Sequence, residues 1–320
     1  MAIDTARILS GWTTLHDDVR GAVIGLGNFD GVHKGHRAVL ARAQVIAQSL
    51  NTRWGAAVFT PHPRQWFAPD AAPFRLSSDA QRAHILWMLG ADPIVHLPFD
   101  AHLSAMEPEV FVKTVLVDGL GVRGVVTGAD FCFGKGRAGN ADTLAHLATR
   151  YGFAYHALEP IMDDARAGEG EKVSSSMIRE ALREGDPRLA RTLMGRPFTI
   201  EGLVDHGDKR GRLLGFPTAN IALGDYVRPK FGVYAVHVYH PDRERPLIGV
   251  ANLGARPTVN GTQERLEVHV FDFEDDLYDL TLQVALLDFI RPEQKFDGLE
   301  ALKAQIAQDC AQARALLERR

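Results

Sequence analysis

Cysteine is scarce in this sequence, which has two among 320 residues, Cys132 and Cys310. They stand far apart in unrelated contexts, and two such residues form neither a zinc-binding pattern nor a disulfide framework. Scarce and unpaired cysteine is typical of proteins that work in a reducing compartment. We therefore expect a cytoplasmic protein.

Long apolar runs are missing as well. No stretch approaches the ~20 apolar residues of a membrane-spanning helix, and the first residues, MAIDTARILSGW, hold no apolar run of the length found in signal peptides. A net charge of −4 gives no excess of lysine and arginine, which a broad nucleic-acid or anionic-membrane surface requires. We expect neither nucleic acid nor a membrane among the partners, and the composition sets no oligomeric state.

The chain length predicts two domains, because a single core rarely grows beyond about 250–300 residues and this chain has 320. In the first part, apolar runs typical of buried strands alternate with amphipathic runs typical of helices. The predicted strands are 21–27, 54–60, 93–99, 122–128 and 153–160. The predicted helices are 36–50, 80–90, 107–121, 174–186 and 187–195. Such alternation favours an α/β domain with a doubly wound parallel sheet.

The pattern changes after Gly195. Short runs rich in β-branched and aromatic residues follow, separated by turn residues, and they predict an antiparallel barrel or sandwich. These runs are 198–208, 231–241, 246–254, 265–273 and 280–290. An amphipathic helix over 299–320 closes the chain. We place the boundary within Asp186–Arg196 and assign residues 1–187 and 188–320 to the two domains.

The stretch GLGNFDGVHKGHRAVL, residues 25–40, joins a predicted strand to a predicted helix and allows several interpretations. A dinucleotide fingerprint needs a third glycine where the chain has Asp30. A zinc site would use His33 and His36, with Asp30 as the one local candidate for a third ligand. The two histidines could also be loop residues without a role.

A phosphate site is the interpretation that this junction favours. Backbone N–H groups gather at a helix N-terminus and attract anions, and two imidazoles beside them can donate hydrogen bonds to phosphate oxygens. Gly35, between His33 and His36, would let a phosphate approach the backbone closely. The H-x-G-H arrangement suits adenylyl transfer, in which charge grows on the α-phosphate and the leaving pyrophosphate.

The segment GNFDGVHKGH resembles the nucleotidyltransferase element of the bifunctional bacterial riboflavin kinase/FAD synthetase family. FTPHPRQWF, LPFD, GADFCFGKGRAGN and VSSSMIRE are similar to further segments of its first domain. The resemblance implies that His33 and His36 are catalytic and contact the ATP phosphates. It implies the same nucleotide site for Gly27, Asn28, Asp30, Gly35, Ser174, Ser175, Ser176 and Arg179. It implies a flavin site at Pro61, His62, Asp130 and Phe131.

Some of these residues could instead have ordinary structural roles. One of the three serines could simply cap a helix, and Arg179 could be a solvated helix charge. Phe131 or Phe133 could belong to the core. Ser176 stands where the family usually has threonine, and since both carry a hydroxyl we expect function to survive.

In the second domain, HGDKRGRLLGFPTANI suggests a P-loop but does not match one, because neither Gly211 nor Gly215 is followed by the required Lys-Ser/Thr. On an extended segment, Thr218 and Asn220 point to one face. Both offer oxygens suited to Mg²⁺, a hard cation that keeps water and phosphate ligands. The sequence therefore predicts a magnesium site at these two residues.

The segment GRLLGFPTAN resembles the riboflavin kinase half of the same family, and the similarity continues through LEVHVFDFEDDLYDL. The resemblance implies an antiparallel barrel in which Glu267 is the catalytic base; otherwise Glu267 would be a strand residue facing solvent. It implies ATP binding by Gly207, Lys209, Gly211, Gly215, Pro217 and Thr218. Asp279 stands where the family often has glycine, and if that turn needs a positive φ, aspartate tolerates it better than most residues.

Together these resemblances imply an enzyme that makes FMN from riboflavin and ATP, and FAD from FMN and a second ATP. Riboflavin, FMN and ATP are then its partners, flavins its substrates and products, and Mg²⁺ accompanies ATP. One alternative is a cytidylyl- or pantetheine-type transferase or a class I tRNA synthetase, which share H-x-G-H but leave the second domain unexplained. Another is a flavin-binding sensor without turnover.

Overall fold

The computed structural model describes residues 8–13, 15–17, 19–163, 170–205, 216–258 and 261–318. These residues form two compact units. The sheet unit lies within Ala2–Ala72 and Asp79–Val173, and the barrel unit within Pro73–Ser78 and Ser174–Arg320. The predicted boundary at 187/188 concerns the division of the two activities, and it stays a prediction.

The sheet unit is built on a parallel sheet of six strands. The strands are β1 (Ile8–Ser10), β2 (Val23–Gly27), β3 (Trp54–Thr60), β4 (Ile94–Pro98), β5 (Gly124–Gly128) and β6 (Ala154–Leu158). Their order across the sheet is β1-β4-β3-β2-β5-β6. The predicted doubly wound sheet is confirmed, and the prediction for β3 coincides with its observed bounds.

Helices connect these strands. They are α1 (Lys34–Ser49), α2 (Pro63–Phe67), α3 (Asp79–Met88), α4 (Ala101–Ser104), α5 (Pro108–Phe111) and α6 (Ala141–Tyr151). The chain continues from α5 into a π-helical segment, Val112–Gly119, and a two-stranded ribbon pairs β7 (Met162–Asp163) with β8 (Glu171–Lys172). The sequence interpretation left out β1, α2, α4, α6 and both strands of the ribbon.

Each face of the parallel sheet has its own apolar core. One cluster joins α1 and α3 to the sheet and includes Leu40, Ala43 and Leu86. The other joins the opposite face to the π-helical segment and α6, and includes Val115 and Leu144. Burial on both faces explains why the strands read as continuous apolar runs.

The barrel unit contains a closed antiparallel barrel of six strands in the order β10-β13-β12-β11-β14-β9. The strands are β9 (Phe198–Asp205), β10 (Ala219–Ala222), β11 (Gly232–Tyr239), β12 (Leu247–Thr258), β13 (Gly261–Val270) and β14 (Thr281–Pro292). Its helices are α7 (Ser175–Glu184), α8 (Pro187–Met194) and α9 (Leu299–Leu317). The predicted barrel is confirmed.

The turn before β14 bears out the expectation for Asp279. This residue has φ +61°, in the left-handed region that non-glycine residues rarely occupy and aspartate tolerates better than most. The departure from the family's usual glycine is therefore accommodated by a local conformation that aspartate can adopt.

The terminal helix α9 packs on the outer surface of the barrel. Ala313 and Leu317 lie in one buried cluster with Val233, Ala235 and Val250 of the barrel strands. An ion pair fastens the same helix to β14: Arg291 Nε and Nη2 donate to the two carboxylate oxygens of Asp309 at 2.9 and 2.7 Å. The Asp309 side chain is 5 % exposed, so the pair is largely shielded from water.

Among the residues described, none of the helices combines the length and the hydropathy that a bilayer crossing requires.

Replacing Asp309 by alanine is expected to lower the free energy of unfolding of the barrel unit by about 3 kcal/mol, because Arg291 is then left without its carboxylate. Urea unfolding followed by far-UV circular dichroism measures the loss. Tryptophan fluorescence follows the sheet unit alone, because all four tryptophans lie there, at positions 12, 54, 66 and 87.

Asp118→Ala is the control, because Asp118 pairs with Lys113 at the surface, where both side chains are about half exposed. Exposed pairs contribute at most about 1 kcal/mol. An Asp309 variant no less stable than this control would contradict the prediction.

Candidate active sites

The strand order of the parallel sheet marks one edge position as a ligand site. From β2 the chain proceeds to β3 and β4 on one side, then crosses to β5 and β6 on the other. Open α/β sheets bind ligands beyond the carboxyl ends of their strands, at the point where the order reverses, which here lies between β2 and β5. Predicted site residues follow three neighbouring carboxyl ends: Asn28 and Asp30 after β2, Pro61 and His62 after β3, Asp130 and Phe131 after β5.

The turn between β2 and α1 has a strained backbone. Phe29 and Val32 have φ angles of +48° and +38°, which for non-glycine residues cost about 1–3 kcal/mol each. Their side chains are 1 % and 0 % exposed and belong to the core between the sheet and α1. Apolar burial therefore offsets the strain and fixes the path of the turn into the helix.

His33 caps α1 with its own side chain. Its Nδ1 accepts a hydrogen bond from the backbone N–H of His36 at 3.3 Å. A ring nitrogen that accepts carries no proton, so the imidazole proton of His33 resides on Nε2. The two imidazoles stack with centroids 3.6 Å apart, and the edge of the His36 ring meets Phe29 at 5.3 Å.

Gly35 lies against the ring of His33. A Cβ at this position would lie 3.1 Å from His33 Cε1 and 3.2 Å from His33 Nδ1, closer than ordinary carbon contacts. The glycine was expected to admit a phosphate to the backbone. The structure adds a second reason, since a larger residue would require the capping imidazole to shift by a few tenths of an ångström.

Beyond β3, the predicted flavin residues lie beside two exposed aromatic side chains. His62 caps α2, its Nδ1 accepting from the backbone N–H of Arg64 at 3.1 Å. Trp66 and Phe67 on that helix are 40 % and 69 % exposed, and the Phe67 ring meets Phe99 edge-on at 5.7 Å. The sequence interpretation gave these two aromatics no role, although they lie only two residues beyond Pro-His-Pro.

Beyond β5, Asp130 is exposed and forms an ion pair with Lys172 of β8. Phe131 is half-buried and stacks on Phe133 with centroids 5.8 Å apart. Phe133 is 5 % exposed and belongs to the core. Of the two aromatics in this loop, Phe133 is thus the core residue and Phe131 lies at its edge.

The predicted phosphate residues of VSSSMIRE lie in the barrel unit. Ser174 caps α7, its Oγ accepting from the backbone N–H of Met177 at 3.2 Å, which confirms the capping role expected for one of the serines. Arg179 is 9 % exposed; its Nε donates to the Phe74 carbonyl at 2.7 Å and its guanidinium lies over the Phe74 ring. It is therefore not a solvated charge. Phosphate contacts by Ser175, Ser176 and Arg179 stay predictions.

In the barrel, strand register aligns Glu267 with two asparagines. Asn220 of β10 and Asn252 of β12 both pair directly with Glu267 of β13, and directly opposed residues have Cβ atoms about 4.5–5.5 Å apart. The next row, Ile221, Leu266 and Leu253, is fully buried inside the barrel. Because alternate residues face opposite ways, Glu267 and Asn220 share the outer face.

The segment that precedes β10 is fastened to the same face. Asn220 Nδ2 donates to the Thr218 carbonyl at 3.4 Å. The neighbouring Pro217 carbonyl lies 2.8 Å from His269 Nδ1, and the Phe216 ring meets the His269 ring edge-on. The sequence interpretation quoted His269 within its motif without giving it a role; the structure shows that it ties Pro217 to the strand that carries Glu267.

Four of the predicted ATP-binding positions, Gly207, Lys209, Gly211 and Gly215, lie outside the described residues.

Among the residues that are described, no group of three or more His, Cys, Asp and Glu could hold a metal ion, so the zinc interpretation of His33 and His36 finds no support there. Thr218 and Asn220 instead supply neutral oxygens. Such a pair fits Mg²⁺, which takes few protein ligands and completes its shell with phosphate and water.

Comparison with known proteins likewise finds two parts in the chain. A sequence profile described as FAD synthetase matches residues 15–177, and one described as riboflavin kinase matches residues 194–317. A solved structure titled as a macrolide-efflux protein from Streptococcus pneumoniae has a TM-score of 0.81, 27 % identity, and coverage of 94 % of this chain and 97 % of that one.

Two curated relatives extend over nearly the whole chain. A bifunctional riboflavin kinase/FMN adenylyltransferase of Pseudomonas fluorescens is 43 % identical over 97 % of both chains. The protein of the same name from Escherichia coli (strain K12) is 42 % identical over 92 % of both. The chain belongs to the family of bifunctional riboflavin kinase/FMN adenylyltransferases.

Proposed function

We propose that the two activities of the chain occupy separate sites: adenylyl transfer at the carboxyl edge of the parallel sheet, and phosphoryl transfer on the outer face of the barrel. The chain phosphorylates riboflavin with ATP to FMN and adenylates FMN with a second ATP to FAD and pyrophosphate. The observation that supports the assignment is the placement of His33 and His36 beside the β2–β5 reversal. For the barrel site, the supporting observation is the pairing of Glu267 with Asn220.

In the adenylyl-transfer site, an oxygen of the FMN phosphate attacks the α-phosphorus of ATP. The bond from that phosphorus to the bridging oxygen breaks, and pyrophosphate leaves. His33 Nε2 and His36 donate hydrogen bonds to phosphate oxygens, on which negative charge accumulates, and no covalent intermediate with the protein is needed. Gly27, Asn28, Asp30 and Gly35 shape the turn that presents them.

In the phosphoryl-transfer site, Glu267 accepts the proton of the riboflavin 5′-hydroxyl as that oxygen attacks the γ-phosphorus of ATP, and ADP leaves. Thr218 and Asn220 are the residues that would hold Mg²⁺. When bound, Mg²⁺ neutralises charge that develops on the transferred phosphoryl group. Pro217 and the glycine- and lysine-containing segment before it would contact the nucleotide.

We assign the adenylyltransferase to residues 1–187 and the kinase to 188–320. This places α7, with Ser174, Ser175, Ser176 and Arg179, in the adenylyltransferase, although it packs within the barrel unit. We further propose a cytoplasmic enzyme whose partners are riboflavin, FMN and ATP, with neither nucleic acid nor a membrane among them.

The alternative functions have less support. Transferases that share only H-x-G-H leave the riboflavin kinase match unexplained. The name macrolide-efflux protein belongs to the 27 % identical structure, whereas the whole-chain relatives at 42 and 43 % identity are named bifunctional riboflavin kinase/FMN adenylyltransferase.

A time course with riboflavin, ATP and Mg²⁺, resolved by chromatography, tests the function, and FMN is expected to appear before FAD.

Replacing His33 separates helix capping from chemistry. Asparagine at this position keeps a capping acceptor but lacks the imidazole, whereas alanine removes both. We expect both variants to lower kcat for FAD formation by about 100-fold, the usual effect of losing one donor to developing charge. The alanine variant alone should also destabilise the sheet unit, by about 1 kcal/mol. Riboflavin phosphorylation is the internal control, and an active asparagine variant would show that His33 only caps α1.

Glu267→Gln is expected to lower riboflavin phosphorylation by about 100-fold or more, because an amide cannot accept the hydroxyl proton. FAD formation from added FMN should persist in the same protein. Glu264→Gln is the matched control, since Glu264 lies on the same strand and its carboxylate accepts from Arg228 Nε at 2.6 Å. Equal kinase rates in the two variants would exclude Glu267 as the base.

Phe67→Ala is expected to raise KM for FMN about tenfold, the loss of roughly 1.4 kcal/mol of aromatic stacking. KM for ATP should change less than twofold. Met88→Ala is the control, because Met88 is an equally exposed apolar side chain, 64 % exposed, on α3. An unchanged KM for FMN would place the flavin ring elsewhere.

A further inference from the structure

Arg82 is a fully buried cation of the sheet unit. It lies on α3 and is 0 % exposed. Enclosing a guanidinium costs free energy unless its donors are satisfied by well-placed acceptors. The groups that Arg82 binds therefore indicate what its position serves.

The acceptors lie where two strands lead into their loops, at the turn after β2 and at the last two residues of β3. Arg82 Nη1 donates to the Asn28 carbonyl at 3.0 Å. Arg82 Nη2 donates to Thr60 Oγ1 at 2.8 Å and lies 3.4 Å from the Phe59 carbonyl. Its ion-pair partner, Asp79 at 2.9 Å, is one helical turn away on the same helix, so it neutralises the charge without joining the loops.

Both loops are parts of the adenylyl-transfer site proposed above. Asn28 directly follows β2 and begins the strained turn that ends at His33. Thr60 is the last residue of β3 and directly precedes Pro61 and His62. One rigid, planar guanidinium therefore connects the nucleotide-side turn to the flavin-side segment, which a flexible lysine with a single ammonium group cannot do equally well.

A purely structural role would not require these particular acceptors. The sheet strands are already joined by their ladder, in which β2 pairs with β3 from Val23 to Gly27. Arg82 binds Asn28 just beyond that ladder, at the start of the turn that contains Phe29 and Val32. It thus adds a side-chain hydrogen bond to this turn at the point where the ladder has ended.

The charge of Arg82 also affects a histidine on β4, His96. Burial lowers the pKa of His96, and the neighbouring guanidinium of Arg82 lowers it further, while Asp79 opposes this effect. His96 is therefore held neutral at neutral pH. The positive charge behind the carboxyl edge stays on Arg82, which is always protonated.

We propose that Arg82 is a positioning residue for adenylyl transfer, which fixes the distance between the ATP-side turn and the FMN-side segment without touching either substrate. This inference rests on the adenylyl-transfer site proposed above. Reacting groups displaced by about 1 Å can lose about 100-fold in rate, so the consequence of loosening this connection is measurable.

Steady-state FAD formation by Arg82→Lys tests the proposal in the full chain. We expect kcat to fall by about 100-fold, with riboflavin phosphorylation by the same protein within twofold of the unsubstituted chain. Arg150→Lys is the matched control, because Arg150 pairs with Glu109 at the surface of the sheet unit. Tryptophan fluorescence measures the folded fraction of the sheet unit, and rates are expressed per folded molecule.

If Arg82→Lys does not fold, Thr60→Val still tests the proposal. Valine lacks the hydroxyl that accepts a hydrogen bond from Arg82 and has nearly the same shape as threonine. We expect KM for FMN to rise about tenfold, a loss of roughly 1.4 kcal/mol, with KM for ATP within twofold. Thr60→Ser, which keeps the hydroxyl, should recover the unsubstituted KM. A structural role alone would lower the folded fraction and leave both KM values unchanged.

The outcomes separate this inference from the proposed function. If kcat and both KM values per folded molecule are unchanged in Arg82→Lys and Thr60→Val, while His33→Asn and His36→Ala lower FAD formation by about 100-fold, Arg82 is not a positioning residue and the site assignment stands. If the histidine variants also form FAD at the unsubstituted rate, the site assignment itself is wrong.

Discussion

The shared direction of the strands in the parallel sheet is the constraint on which the adenylyl-transfer site depends. Because every strand ends at the same edge, loops that are remote in sequence meet there, and the strand order reverses between β2 and β5, the position at which open α/β sheets bind their ligands. The strain in the turn after β2 is offset because Phe29 and Val32 are buried in the core. The position of His33 is thus set by packing that begins at the sheet.

The barrel places its functional groups by a different rule. In an antiparallel barrel, direct cross-strand pairing sets which side chains are neighbours, and alternation sets the face on which they lie. Asn220 and Glu267 are 47 residues apart by their numbers yet directly paired on the outer face. A shift of one residue in register would move Glu267 into the apolar interior, beside Leu253. Correct closure of the barrel is therefore a condition for the proton acceptance that we propose for Glu267.

Sequence patterns predicted what depends on periodicity and local chemistry. β3 follows from a continuous apolar run and the α7 cap at Ser174 from capping preference, whereas the expectation for Asp279 came from the family's usual glycine at that turn. The contacts of Arg82 and Arg179 could not be predicted in this way. Each binds backbone carbonyls of chain segments remote in sequence, and a carbonyl acceptor leaves no mark in the residue pattern. The sequence interpretation left a solvated position open for Arg179 and gave Arg82 no role, and only the fold shows that both are buried.

The two proposed sites differ because their nucleophiles differ. FMN attacks through a phosphate that is already ionised, so the sheet site needs donors to phosphate oxygens and no base. Its exposed carboxylate, Asp130, is paired with Lys172, which reduces repulsion of two anionic substrates. Riboflavin attacks through a neutral hydroxyl, whose proton must be accepted as the new bond forms. In the barrel site, the carboxylate of Glu267, paired with Asn220, answers that need in the role that we propose for it.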